Sequence, residues 1–312
     1  MLRTTLAGIF FGSIMIASAH ADNAGLNIML GEARRNCSGI SKKINDMKTM
    51  AGINTAVTGV GALAGGGAIG TGLVKAAKDR EIGNLQELLK HVDRLERENP
   101  NLTPTAEETA RFNEAFKAYG ENVGQVESDI DKLKRESKTL GNWRTGLLAG
   151  NTAANVAGAV IAGGNTADGD LTSAISACKK SVANLEKARV QAGFDSSTNP
   201  QALLAAQRII TACGRYNGED LQSIDGRAKG AMFASIGGAV IGGVGTAASA
   251  GANSDQTRSG DKDAEKNLNT AANVMAVGAT ASSAVATIFN GAQIAAINKA
   301  AATAKNCEEA LR

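Results

Sequence analysis

Four cysteines, Cys37, Cys178, Cys213 and Cys307, are the side chains of this sequence best equipped for chemistry. A thiol can close a disulfide, hold a metal or act as a nucleophile, and spacing decides among these. No Cys-x-x-Cys pair occurs, and His91 is the one histidine after residue 21, so the ligand spacing of a zinc site is absent. His91 sits among Lys90, Asp93 and Arg94, the setting of a solvated side chain rather than of a catalytic base. Carboxylate pairs such as Glu107 and Glu108 have nothing around them in sequence that would bury them and shift their pKa. Gly65-Gly66-Gly67-Ala68-Ile69-Gly70 matches G-x-G-x-x-G by letter. The dinucleotide fingerprint, however, needs a strand before it and an acid about 20 residues on, where Lys90 stands. No G-x-x-x-x-G-K-[ST], G-x-S-x-G or H-E-x-x-H occurs. The residues therefore read as those of a non-enzymatic chain without a cofactor or metal, and the thiols are left to disulfides.

Disulfides need an oxidising compartment, and the N-terminus supplies the route. Arg3, an apolar run from Leu6 to Ala17 and Ala19-His20-Ala21 make residues 1–21 read as a cleaved secretory leader. A first transmembrane helix is the competing reading, and the run is short for one. An exported chain with an even number of cysteines predicts two bridges, for which three pairings exist; buried free thiols are the alternative.

An internal repeat chooses among the pairings. Gly61-Ala62-Leu63-Ala64-Gly65-Gly66 and Gly238-Ala239-Val240-Ile241-Gly242-Gly243 begin 24 and 25 residues after Cys37 and Cys213. Asn151-Thr152-Ala153-Ala154-Asn155-Val156 recurs as Asn269-Thr270-Ala271-Ala272-Asn273-Val274, and each half ends in a cysteine. If each half is a helical hairpin, its two cysteines return to one end, which predicts Cys37–Cys178 and Cys213–Cys307. Bridges closing such long loops contribute about 4–5 kcal/mol each as an upper figure.

The elements that position the cysteines read as helices throughout. Ile82, Leu85, Leu89 and Val92, and then Phe112, Phe116, Tyr119, Val123, Val126, Ile130, Leu133 and Leu140, recur in steps of three and four, with Ser137 as one polar break. Between them Asn99-Pro100-Asn101-Leu102-Thr103-Pro104 is a stop, and Thr105 with Glu108 has capping-box spacing. Residues 80–140 thus predict an antiparallel coiled-coil tip. The domain reading is 1–21 leader, 22–178 first hairpin with that tip, 179–212 helical connector and 213–312 second hairpin. In the connector, Leu171–Ala192 reads as a helix, and Asn199 caps another that starts at Pro200.

Composition sets how these helices meet. With 37 Gly but one Trp, two Tyr and seven Phe, the chain is too poor in large aromatic side chains to build a conventional bulky core. Residues 51–74, 145–166, 230–254 and 267–298 carry no charge. Each has small residues every fourth position. The first stripe is Thr58, Ala62, Gly66 and Gly70, and the second Gly146, Gly150, Ala154, Gly158 and Ala162. The third is Gly230, Ala234, Gly238, Gly242 and Thr246, and the fourth Ser283, Thr287, Gly291 and Ala295. Residues four apart share a helix face, so these stripes predict tracks for close backbone packing. They resemble the glycine-zipper, small-xxx-small segments of bacterial membrane-associated proteins, a resemblance of class that implies association through helix faces.

Two functional readings follow. The uncharged runs are long enough to span a bilayer, which predicts a membrane-associated or self-associating helical protein, pore formation being one version. Their apolarity is modest, and the Lys and Arg outside the leader divide 16 to 16 between the two sides of a four-span topology, so charge gives no orientation. The alternative is a soluble periplasmic or secreted scaffold that binds a partner protein through the tip. A formal charge of +3 with both signs intermixed argues against nucleic acid.

Overall fold

The protein is described by a computed structural model over residues 24–98, 123–166, 169–194, 198–216 and 218–312; at Leu88, 91–98 and a few helix-end positions the backbone alone is described. The leader, the 99–104 turn, Thr105, Glu107, Glu108, Phe112, Phe116 and Tyr119 lie outside the described residues, as do the side chains of His91, Val92 and Val123. Every element among the described residues is an α-helix. They are α1 (24–37), α2 (Ile40–Glu98), α3 (Val123–Gly164), α4 (Gly169–Ala192), α5 (Pro200–Cys213), α6 (Gly218–Asn253), α7 (Asp255–Gly260) and α8 (Lys262–Leu311).

Local chemistry explains the breaks. Gly39 takes φ +78°, the left-handed conformation that ends a helix, and it separates α1 from α2 two residues after Cys37. The Asn199 side chain accepts from the Gln201 backbone N–H and Pro200 occupies the first turn of α5, as the sequence predicts. Thr198 ties its hydroxyl to the Ala192 carbonyl at 2.7 Å, linking the end of α4 to the start of α5.

Contacts divide the molecule into two compact units, and each draws on both sequence halves. The first holds the described residues up to Ala56, with those of Ala157–Phe233 and Val285–Arg312. Its core is aliphatic: Leu26, Leu30, Ile40, Ile44, Leu171, Ile175, Leu185, Ile209, Ile224 and Ile297 are all buried together. This corrects the expectation that the chain cannot build a conventional core: Leu and Ile do here what aromatic residues do elsewhere. Both disulfides lie inside this cluster, Cys37–Cys178 and Cys213–Cys307, in the pairing that the repeat predicts.

The second unit comprises the described residues of Val57–Val156 and Ala234–Ala284. Here α2, α3, α6 and α8 meet with almost no large apolar side chain between them. Ala68, Leu148 and Ala276 form one small apolar cluster, and Ile82 and Leu85 form another with Val126 and Ile130. The second cluster includes positions of the seam predicted for the tip.

Candidate functional site

The polar interior of the second unit begins with a repeat of three and four residues. In the second unit α2 buries Thr58, Gly61, Gly65, Ala68, Gly72 and Lys75 at this spacing, and α3 buries Gly141, Arg144, Leu148, Asn151 and Asn155; in the first unit the rhythm runs on through Ala51 and Asn54 of α2, Gly158 and Ala162 of α3 and Asn165 just after it. In the second unit Ser235, Gly238, Gly242, Gly245, Ser249 and Ala252 of α6 follow the same rhythm, as do Ala272, Ala276, Ala279 and Ser283 of α8; in the first unit it continues through Ala228 and Ala231 of α6 and Ala286, Asn290, Gln293 and Ile297 of α8. A step of four turns a helix by about 40° beyond a full circle, whereas alternating steps of three and four stay on one face.

That arithmetic relocates much of the predicted packing stripe. Thr58, Gly158, Gly238 and Gly242 are buried, and Ala62, Ala154, Gly230 and Ala234 are half-buried. Gly66, Gly70, Gly146, Gly150 and Gly291 are exposed, and a methyl group added to any of them would meet nothing within 4 Å. Each four-step stripe crosses the buried face and walks off it. Among the glycines that admit a neighbouring helix are Gly238 and Gly242 of the stripe together with Gly61, Gly65 and Gly245 outside it. At Gly61 an added methyl would lie 3.0 Å from Ala154 Cβ, and at Gly65 it would collide with Thr280 Oγ1. At Gly238 it would come within 2.7 Å of Asn155 Oδ1, at Gly242 within 2.6 Å of Thr152 Oγ1, and at Gly245 within 2.9 Å of Met275 Cβ.

Polar side chains fill the space these glycines leave. Ser283 Oγ contacts Asn151 Oδ1 at 2.8 Å and receives the Asn155 amide at 2.8 Å, joining α3 to α8. Beyond this layer lies Arg144, wholly buried, which donates to Ser249 Oγ at 3.0 Å, Asn273 Oδ1 at 3.2 Å and Asn269 Oδ1 at 2.6 Å. All three acceptors are neutral. Lys75, 1 % exposed, bridges Asp79 at 2.5 Å and Glu265 at 3.3 Å, and Ser137 Oγ donates to Asp79 at 2.5 Å. Ser137, the polar break in the predicted seam, is thus a buried partner of α2. Hydrogen bonds of this kind offset much of the cost of burying polar and charged groups.

These charges mark the ends of the uncharged runs. Lys75 directly follows 51–74, Arg144 directly precedes 145–166, Asp255 follows 230–254 and Lys266 precedes 267–298. The Lys75–Glu265 and Lys138–Asp255 ion pairs and the Arg144–Asn269 bond hold three of these ends in one layer, and Glu265 brings in the fourth as the neighbour of Lys266. The hydrogen bond from Lys138, 2.7 Å away, holds the exposed Asp255 carboxyl below its usual pKa, and Lys78 does the same for Glu136.

The outward faces are the reverse of the inward ones. In the second unit Val60, Leu63, Val156, Val240, Val244, Val274 and Val277 are exposed, Leu63 at 79 %. In the first unit the same runs expose Ile53, Val160, Phe233 and Ile288. Trp143, the single tryptophan, is 65 % exposed beside Arg144. Among the described residues four stretches are long and apolar enough to cross a membrane by length and composition: Ala24–Glu87, Gln125–Gly164, Leu221–Asn253 and Lys262–Leu311. Only 28 % of the residues in each of their apolar windows are buried, so the apolar side chains are largely on show.

Sequence reasoning passed over Arg144, Lys75, Asn151 and Asn155 as functional positions. A signal was available for the asparagines, since Asn151 and Asn155 recur as Asn269 and Asn273 and helix interiors seldom favour Asn without a partner. No protein-family model, curated protein or solved structure matches the chain.

Proposed function

We propose that this is an exported, non-catalytic helical protein whose four uncharged runs lie in a lipid bilayer, where copies associate through outward glycine faces. One observation carries the reading: along those runs Ile53, Val60, Leu63, Val156, Val160, Val240, Val244, Val274, Val277 and Ile288 are exposed, while Asn54, Thr58, Asn151, Asn155, Ser235, Ser249, Ser283 and Asn290 are buried. Water would drive the opposite arrangement, because burying apolar surface is the main favourable term in folding. Lipid removes that drive and favours close packing of small residues with hydrogen bonds between helices. The lengths agree, since 24 uncharged residues at 51–74 extend about 36 Å against a hydrocarbon core of about 30 Å.

Two finer features belong to the same reading. The duplicated asparagine motif and the cysteine order support two hairpins of common descent, each tied at its base. Outward Gly66, Gly70, Gly146 and Gly150 leave bare backbone for a neighbouring copy, the zipper role the resemblance implies. A pore through a single copy has no room, as an added methyl at Gly65 already collides with Thr280. A pore-forming version therefore places the passage between copies.

Trp143 supplies the test. The full chain is reconstituted in vesicles whose lipids carry bromine at defined acyl depths, and Trp143 fluorescence is read. Quenching strongest for bromine nearest the headgroups is expected, because Trp143 borders the uncharged run and tryptophan settles at that interface. A protein that stays monodisperse without detergent and shows no quenching at any depth would overturn the reading.

A further inference from the structure

We propose that the four cysteine sulfurs form one tetrathiolate metal site, filled by a single zinc-class divalent cation when the two disulfides are reduced. The two bridges do not lie apart. Cys37 Sγ, Cys213 Sγ and Cys307 Sγ, drawn from both bridges, lie within 4.8 Å of one another, and Cys178 is bonded to Cys37. A tetrahedral zinc centre with bonds of about 2.3 Å sets its sulfurs about 3.8 Å apart; no pair among those three sulfurs lies more than roughly an ångström beyond that spacing, and the two bonded pairs must move apart to reach it.

Four different helices supply one sulfur each, α1, α4, α5 and α8, and all four cysteines are buried in the same aliphatic core. The ligands thus approach from separate directions on rigid elements. The bridged Cα pairs, 4.7 and 4.6 Å apart, must open by about 1–2 Å to take a metal. Slack for this is built in at two ligands, because Cys37 is two residues from Gly39 and Cys213 adjoins Gly214 at helix ends. A cation with four thiolates carries net charge −2. Within three positions of a cysteine lie the exposed Arg34, Arg35, Lys179, Lys180, Arg215 and Lys305, against the acids Glu308 and Glu309 alone. That imbalance favours an anionic centre.

The chemistry balances with a trialkylphosphine as reductant. Each disulfide accepts two electrons from phosphorus and two protons from one water, whose oxygen leaves in the phosphine oxide. The four thiols then release four protons as one divalent cation binds. This site is read from the thiols of the first unit and does not depend on whether the uncharged runs enter lipid.

Cobalt(II) is the probe. The full chain is reduced with the phosphine, freed of it under inert gas and titrated with cobalt(II). Tetrahedral thiolate ligation is expected to give red d–d absorption with near-ultraviolet charge transfer, saturating at one metal per chain and displaced by one zinc. Cys178→Ser and Cys307→Ser should each weaken binding by at least the ~10–100-fold that loss of an outer-shell partner costs. Because either variant could misfold, the reduced wild-type chain is also melted with and without zinc, and a raised midpoint with zinc is expected. Absent d–d bands, saturation at two cobalt per chain, or equal bands and affinity in the urea-unfolded reduced chain would each overturn the proposal.

Discussion

Gly65 and Gly66 are chain neighbours with opposite surroundings. A methyl on Gly65 would collide with Thr280 Oγ1 and approach Asn151 Nδ2 to 2.8 Å, whereas one on Gly66 meets nothing within 4 Å. Gly65→Ala should therefore lower stability by about 1–3 kcal/mol through overpacking. Gly66→Ala should raise it by up to about 1 kcal/mol, the helix-propensity difference. Thermal unfolding of the two variants in the same detergent reads both signs, and equal shifts would refute the assigned faces. Tyr216 gives a second residue-level expectation. Its hydroxyl is buried without a hydrogen-bond partner among the described residues, and burial, with the Glu308 charge adding to it, pushes its pKa up to about 12. The unfolded phenol loses its proton near pH 10 while the folded one holds it to about 12. The folded state then binds more protons across that window, so stability is intact below pH 10 and falls as pH rises from about 10 to 12. Tyr216→Phe should remove that share of the alkaline loss and cost little at neutral pH, measured by denaturant midpoints at pH 8, 10 and 12.

At the scale of the helix, the period of burial decides which glycines hold the bundle. Gly238→Leu drives a branched side chain into Asn155 and should collapse the thermal transition of the fold. Gly66→Leu should leave the helical signal intact and change only the size of the assembly, measured by light scattering in detergent. If Gly238→Leu melts like the parent, the inward assignment fails. Much of this level was legible in the sequence. Charge-free runs, the Pro200 start of α5 and the cysteine pairing all followed from residue types and their order. The packing face did not, because Gly and Ala are so dense that both a four-step and a seven-residue pattern can be drawn through them. Only the asparagines break the tie: Asn54, Asn151, Asn155 and Asn290 fall on the buried seven-residue face, where polar groups can meet one another. Arg144 was illegible for another reason. A lone arginine at the edge of an apolar run reads as a solvated flank, and its three neutral partners come from helices more than 100 residues away.

For the whole molecule, the aliphatic core around the cysteines and the polar interior of the second unit are stabilised by different forces. Reduction followed by alkylation should remove up to about 4–5 kcal/mol per bridge. Because both bridges sit in the Leu and Ile cluster, faster amide exchange should appear first in 24–56 and 171–213 and only later in 57–156. Simultaneous loss in both regions would show that the two units melt as one. The bridges also fix the covalent topology. Cys37–Cys178 and Cys213–Cys307 are 141 and 94 residues apart in sequence, so the chain is two closed rings strung on one strand. A protease that nicks either ring once frees no fragment, and the cleaved polypeptide keeps its full mass until a thiol reagent is added. Damage that would dismember an open chain is thereby held together, and it surfaces only when nonreducing and reducing gels are compared.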